Sequence, residues 1–459
     1  MDAVQVISDY VRFPSVSTDP AFRGGMTDAK NFAARLLHHA GLAVEEVGTD
    51  LHDIVIGRRD GPDSWPHIVL YGHYDVQPAD PLDLWTSPPF SPTVRDKRLF
   101  ARGAADNKGP HSVAILALAS LLARQPDLPL RITAIIEGEE EIGSPSFPKF
   151  LQQRKEELSK ADFVLLSDTG SPSSEQIVVT TGLRGIVGIE VRLTGPKTDL
   201  HSGLHGGAVV NPIYALAQLC ASLHNPDGSV NIPGFYDGVA TPTQWEINEL
   251  TKFPLTEPSY REFLGVDALY SQPHWTPIEA TRHAPTLEFN GIGGGYQGEG
   301  GKTVIPSTAF VKITCRLVPG QDARDIINKL SSALKSRTPR GVHLELIERQ
   351  GNNAYRVCPP NKPDTPRDQN PVLARAFHAA SEAIADAFGN PPLFLSEGGS
   401  VPIIGDFKTV AGLDSLMIGL FTPDSNLHAP NENLELSIIE RGISAYQTLL
   451  KKIASQPRS

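Results

Sequence analysis

The chain has 459 residues, 40% of them hydrophobic, and carries 52 acidic against 41 basic side chains for a net charge of −11. That length exceeds one ordinary core and points to two or three domains, while an acidic balance without any basic run argues against nucleic acid and anionic membrane as partners. Only three cysteines occur, Cys220, Cys315 and Cys358, which argues against a disulfide framework and fits a reducing compartment.

The first thirteen residues place Asp2 and Asp9 where a signal peptide needs basic residues and an apolar core. The longest helix-like apolar run, 113–123, is too short to span a bilayer. A soluble, cytoplasmic protein is therefore expected. Val4, Ile7 and Val11 at helical spacing predict a helix over 2–13, and Phe32, Ala33, Leu36 and Leu37 predict a second over 28–40, stopped at Gly41. Strands near 43–47 and 53–57 precede the run Ile68-Val69-Leu70-Tyr71-Gly72-His73-Tyr74-Asp75-Val76. Its β-branched apolar residues read as a buried strand whose end delivers His73 and Asp75 to one face. A proline-dense loop over 78–92 follows, then a helix through 124 with Pro110 in its first turn. Strand 130–136, a helix starting at 144–145 and strand 163–167 complete a β/α alternation, which implies a largely parallel sheet covered by helices on both faces.

The rhythm changes after Gly182-Leu183-Arg184-Gly185. Strand 186–194, helix 209–223, a long irregular insert, strands 286–291 and 308–318, helix 322–336 and strand 342–347 have the β-α-β-β-α-β order of a ferredoxin-like unit. In strand 308–318, Val311, Ile313, Cys315 and Leu317 alternate with Lys312, Thr314 and Arg316, so Arg316 points away from the core face. Beyond 352 the β/α rhythm returns with helix 371–388, strands 392–396 and 414–421 and a closing helix from Leu434. The expected fold is thus an α/β catalytic domain, 1–184 with 353–459, interrupted by an inserted α+β domain at 185–352.

Histidines and carboxylates recur at the ends of the predicted parallel strands, where side chains of neighbouring strands converge on one crevice. His73 and Asp75 come first, then Asp106, then Glu137-Gly138-Glu139-Glu140-Glu141, then Asp168 after Leu165-Leu166-Ser167. Taken singly, Asp106 and Asp168 read as turn or cap residues and the glutamates as a solvated loop. Four coincidences together argue for a site of imidazole and carboxylate ligands, a set suited to zinc, cobalt or manganese. Two other motifs carry less. Gly293-Gly294-Gly295-Tyr296-Gln297-Gly298 fits a dinucleotide fingerprint but precedes a strand, so no helix amino terminus would hold a phosphate. Gly398-Gly399-Ser400 is not a nucleophile elbow, and Ser400 is better placed to offer a hydrogen bond.

The chain resembles the dinuclear zinc metallopeptidases that include cytosolic nonspecific dipeptidase, carnosinase, acetylornithine deacetylase and succinyl-diaminopimelate desuccinylase, nearest the dipeptidase branch. The resemblance rests on Gly72-His73-Tyr74-Asp75-Val76-Gln77-Pro78, Arg102-Gly103 through Asp106 to Lys108-Gly109, the 137–143 glutamate segment, Ser167-Asp168, Asp199-Leu200-His201-Ser202-Gly203, Lys302-Thr303-Val304-Ile305-Pro306, Arg316-Leu317-Val318-Pro319, Glu397-Gly398-Gly399-Ser400 and His428-Ala429-Pro430-Asn431-Glu432, all in family order. It implies that His73 and Asp168 hold one metal, Glu141 and His428 the other, and that Asp106 bridges them. Asp75 would orient the His73 ring and Glu140 would be the general base. The family's peptide bond after the bridging aspartate is cis, here Asp106-Asn107. His201 of the inserted domain would reach the oxyanion from the partner subunit of a homodimer, Arg316 would grip the substrate carboxylate, and Thr303 and Ser400 would be secondary contacts. Relatives often have aspartate in place of Asn107 and arginine in place of Ser396.

The resemblance implies hydrolysis of dipeptides or short peptides with a free carboxylate, by a hydroxide shared between two divalent ions, zinc first and manganese or cobalt next. Deacylation or desuccinylation of N-acyl amino acids on the same scaffold is the second reading. A non-catalytic peptide- or metal-binding protein is the third.

Overall fold

In the computed structural model, which describes residues 2–458 and not the side chain of Gln350, two sheets organise the chain. The larger runs in the spatial order Ala43–Val47, Ile54–Arg59, Arg131–Glu137, His67–His73, Phe163–Leu166, Ser415–Ile418, Val178–Leu183 and Tyr355–Arg356, with Leu393–Glu397 also pairing the 178–183 strand. Its centre is parallel: strand 67–73 is flanked on both sides by parallel neighbours, 131–137 and 163–166. Antiparallel pairs form one edge, 43–47 with 54–59, and tie strand 178–183 to 415–418.

Strand His67–His73 is buried along its whole length, as expected of an apolar run covered on both faces by helices. Helix Lys108–Arg124 is buried for most of its length and packs against helix Leu436–Ala454, which in turn meets helix Pro371–Phe388. One apolar cluster spans both halves of this layer, from Ile7 to Ala454. The chain leaves after strand 178–183 and returns at Tyr355, so its two ends close around one core.

Residues between these points form the second sheet, in the order Thr286–Gly294, Thr308–Leu317, Gly185–Thr194 and His343–Asn352, all antiparallel. Helices Pro212–Ala221 and Ala323–Arg337 cover one face and close a separate apolar cluster containing Val191, Leu219 and Leu330. This is the ferredoxin-like order. Strand 308–317 alternates exposed and buried residues along its first half, and Cys315 and Leu317 lie inward while Arg316 is half-buried on the other side.

The structure corrects several boundaries. The second helix starts earlier, at Arg23, and the strand expected at 414–421 is confined to Ser415–Ile418. The insert expected to be irregular contains three short helices, Gln244–Leu250, Glu257–Leu264 and Pro277–His283. Each begins at a threonine whose hydroxyl forms a reciprocal cap with the side chain three residues on.

Candidate metal centre

The carboxyl ends of three parallel strands build one side of a crevice. Strand 67–73 ends on His73, in register with Glu137 of the neighbouring strand. Glu140 and Glu141 open the short helical turn after that strand, and Asp168 follows strand 163–166. Asp106 arrives on the loop before helix 108–124, and His428 on a loop near the other end of the chain. Two groups form here: His73, Asp106 and Asp168, and Asp106, Glu141 and His428, with the possible ligand atoms of each group within 4.8 Å of one another. Asp106 belongs to both.

The distances give the arrangement detail. His73 Nε2 lies 3.2 Å from Asp106 Oδ1 and 3.7 Å from Asp168 Oδ2. His428 Nε2 lies 2.9 Å from Asp106 Oδ2 and 3.4 Å from Glu141 Oε2. On the far side of the His73 ring, Nδ1 is 3.1 Å from the Asp75 carbonyl and 3.3 Å from Asp75 Oδ1, so Nε2 is left aimed at the carboxylates. Asp75 Oδ2 also accepts from the Glu141 backbone N–H at 3.0 Å. One buried carboxylate thereby orients an imidazole and fixes the turn carrying the glutamates, as outer partners of metal ligands do. The Asp106-Asn107 peptide bond is cis.

These residues fit a pair of hard or borderline divalent cations. His73 Nε2 is buried and has no well-directed hydrogen bond of its own, although carboxylate oxygens surround it. The donors are imidazole nitrogens and carboxylate oxygens, with no thiolate. The charge balance agrees. Burial pushes Asp168 up to about 7, and the Asp106 charge adds to it. Burial likewise holds Glu140 and Glu141 well above the usual carboxylate range; nearby acids add to this and the His73 charge opposes it. Burial alone would raise Asp106 too, but hydrogen bonds from His428 and His73 outweigh it and hold Asp106 low. Cations here would relieve that mutual repulsion.

The Glu140 carboxylate forms no hydrogen bond among the described residues, and it lies in the field of His73, Asp168 and Asp106. Arg316 Nη1 donates to Ser400 Oγ at 2.9 Å, and Ser400 Oγ donates to the Arg184 carbonyl, so this pair comes together beside strand 393–397. His201 and Thr303 stand apart from the cluster. Both are exposed: His201 lies on the short strand Leu200–His201 and Thr303 immediately precedes its partner strand Val304–Ile305, with Ser202 N–H donating to the Thr303 carbonyl. Within one chain they make no hydrogen bond or ion pair to the cluster residues, among the described residues.

Other supporting groups went unassigned in the sequence. Glu432 is fully buried and accepts from Arg102 Nη1 at 2.7 Å and from the backbone N–H groups of Gly103, Ala105 and Asp106 at 2.9–3.0 Å. This carboxylate holds the loop that presents Asp106. Truncating one partner of such a buried pair costs about 3–5 kcal/mol, because the other charge is stranded. Asn107 Nδ2 donates to Asp168 Oδ1 at 2.9 Å and to the Ser167 carbonyl at 2.8 Å. An amide here therefore steadies Asp168 with a neutral donor, where a second carboxylate would add repulsion. Gln77 Nε2 donates to Glu141 Oε2 at 2.8 Å. No local pattern marks these pairs, since Glu432 and Arg102 are 330 positions apart.

Residues 69–452 match the family model for Peptidase family M20/M25/M40. Among characterised relatives, the Cys-Gly metallodipeptidase of Schizosaccharomyces pombe is 29% identical, covering 98% of this chain and 95% of the relative. The Beta-Ala-His dipeptidase of Homo sapiens is also 29% identical, over 94% of this chain and 86% of the relative. Among solved structures, human carnosine dipeptidase 1 superposes with a TM-score of 0.84 at 27% identity, covering 99% of this chain and 96% of the other. A metallo-carboxypeptidase from Sulfolobus solfataricus gives 0.87 at 27% identity, covering 99% of this chain and 100% of the other.

Proposed function

The chain belongs to peptidase family M20/M25/M40 and is a metal-dependent hydrolase acting on dipeptides; from that premise we propose the following assignment of its residues. His73 and Asp168 hold one divalent cation, Glu141 and His428 hold a second, and Asp106 is shared. The observation that carries this reading is Asp106, whose two oxygens face His73 and His428 separately. When bound, the cations supply Lewis acidity for the scissile carbonyl and lower the pKa of a water towards ~7. Zinc is our first assignment, with manganese and cobalt next, supported by the nitrogen and oxygen donor set.

Glu140 takes the proton of the attacking water and delivers it to the departing amine. Its freedom from hydrogen bonds among the described residues supports this role. Asp75 keeps His73 in the tautomer that exposes Nε2. Arg316 binds the substrate carboxylate by a charge-assisted contact, with Ser400 positioning its Nη1. His201 stabilises the oxyanion from the partner subunit of a homodimer, with Thr303 beside it. The exposure of both, away from this chain's own cluster, supports a role in trans. So do the exposed apolar side chains of the inserted domain, with Leu204 at 76%, Ile292 at 63% and Tyr214 at 62% exposure. The division into a catalytic domain, 1–184 with 353–459, and an inserted domain, 185–352, is supported by the two separate apolar clusters.

The relatives named above favour peptide hydrolysis over removal of an N-acyl group. No described helix is long and apolar enough to cross a membrane. A reducing, cytoplasmic setting is our reading of three free, buried cysteines; disulfides in protein purified without reductant would oppose it. The test of the whole assignment is one sample, stripped with chelator and then reconstituted. Dipeptide turnover is expected to vanish and to return with two equivalents of divalent metal, and sedimentation is expected to find a dimer. Turnover that survives stripping contradicts the reading, and a fully active monomer removes His201 from it.

A further inference from the structure

Beside the candidate metal centre lies a cleft of two adjoining cavities, of about 530 and 640 Å³, that share Phe253 and Arg282 in their walls. The smaller is also lined by Gly170, two residues after Asp168, and by Leu427 and Ala429, which flank His428. A substrate held at the metals therefore has this cleft alongside it.

Two arginines, Arg184 and Arg282, line the inner part of the cleft. Arg282 lies in the last turn of helix Pro277–His283, with its guanidinium carbon 4.6 Å from the centre of the Phe253 ring. Its Nη1 donates to Thr281 Oγ1 at 2.8 Å and to the Ile278 carbonyl at 3.3 Å. Its Nε is shielded from solvent and has no hydrogen-bond partner among the described residues. The Arg184 guanidinium donates to the carbonyls of Gly398 and Ala284, and that of Arg316 donates to Ser400. None of the three forms an ion pair with a carboxylate among the described residues. Burial, and then the charges of Arg316 and Arg282, pull Arg184 down to about 10. The acid on this wall is Glu397, which accepts from the Gly170 N–H at 3.1 Å. Asp424 and Glu435, on the outer rim, are already paired with Arg98 at 2.6 and 3.3 Å.

Two cleft-lining guanidiniums, Arg184 and Arg282, thus face the single carboxylate of Glu397. A substrate's terminal carboxylate answers Arg316 and leaves the inner cations short of a partner. Ser396, a short side chain, lines the same cavity as Arg282. We propose that this cleft selects dipeptides bearing a side-chain carboxylate, aspartyl or glutamyl, with Arg282 as the anchor. The proposal rests on the hydrolytic reading above and adds its substrate class. Charge-assisted hydrogen bonding to a guanidinium is strong, and a site built around an unpaired polar group rejects an analogue that cannot pair with it.

The test compares kcat/KM on the metal-reconstituted enzyme for Asp-Ala against Asn-Ala and for Ala-Asp against Ala-Asn, which also reveals which residue of the dipeptide enters the cleft. At least one acidic dipeptide is expected to exceed its amide counterpart by about tenfold or more. Arg282→Met is expected to collapse that ratio towards one, chiefly through KM of the acidic substrate, whereas Arg282→Lys keeps an acidic preference. Should the methionine variant fail to fold, the ratios of the wild type and of Arg282→Lys still decide. Turnover of the amides with no acidic preference overturns the cleft alone. Failure to turn over any dipeptide overturns the hydrolytic reading together with it.

Discussion

Glu140→Gln is expected to lower kcat by about 10²–10⁴-fold, the range that a positioned general acid–base supplies, while two equivalents of divalent metal remain bound. The amide keeps the size of the carboxyl and removes its ability to accept a proton. The Glu140 carboxylate has no hydrogen-bond partner among the described residues, so little else is lost, and Glu141 keeps its contacts to Gln77 and to the Asp75-anchored backbone. The loss should fall on kcat rather than KM, because the interaction is made as the proton moves and not as substrate binds. Steady-state turnover and metal analysis on the same preparation separate the outcomes. A kcat within a few fold of the parent would remove Glu140 from the chemistry. A loss of metal along with activity would make it a ligand instead.

Asp106→Ala should be more severe. Asp106 is the carboxylate within reach of both imidazoles, one oxygen 3.2 Å from His73 and the other 2.9 Å from His428. Removing it takes a donor from both groups at once. Turnover is expected to fall by at least about 10³-fold, beyond the 10–100-fold that loss of an outer partner costs, and bound metal should drop below two equivalents. Asp75→Asn provides the contrast, since Asp75 acts through His73 and the Glu141 backbone and belongs in that milder range. Equal effects of the two substitutions would contradict a shared role for Asp106.

Much of the site could be read in the sequence because parallel strands place chemistry at their ends. The apolar run before His73, the glutamates after strand 131–137 and Asp168 after strand 163–166 needed only the rule that such ends converge. That Arg316 points away from the core face could be read from the alternation along its strand. What stayed hidden depends on contacts between distant segments. Glu432 holds the Asp106 loop across more than 300 positions, and nothing near either segment announces the other. Arg282 lies on a seven-residue helix more than 100 positions from Asp168 in sequence, with nothing local to tie it to the crevice. The three helices of the insert are too short for an apolar periodicity. Their capping pairs were nevertheless present in the sequence, as Thr243 with Glu246 and Thr276 with Glu279.

The most direct test of the assignment is an anomalous-scattering map from crystals of the zinc-reconstituted protein. Two metal peaks per chain are expected, one in contact with His73 and Asp168, the other with Glu141 and His428, and Asp106 touching both. A single peak, or peaks remote from Asp106, would contradict it.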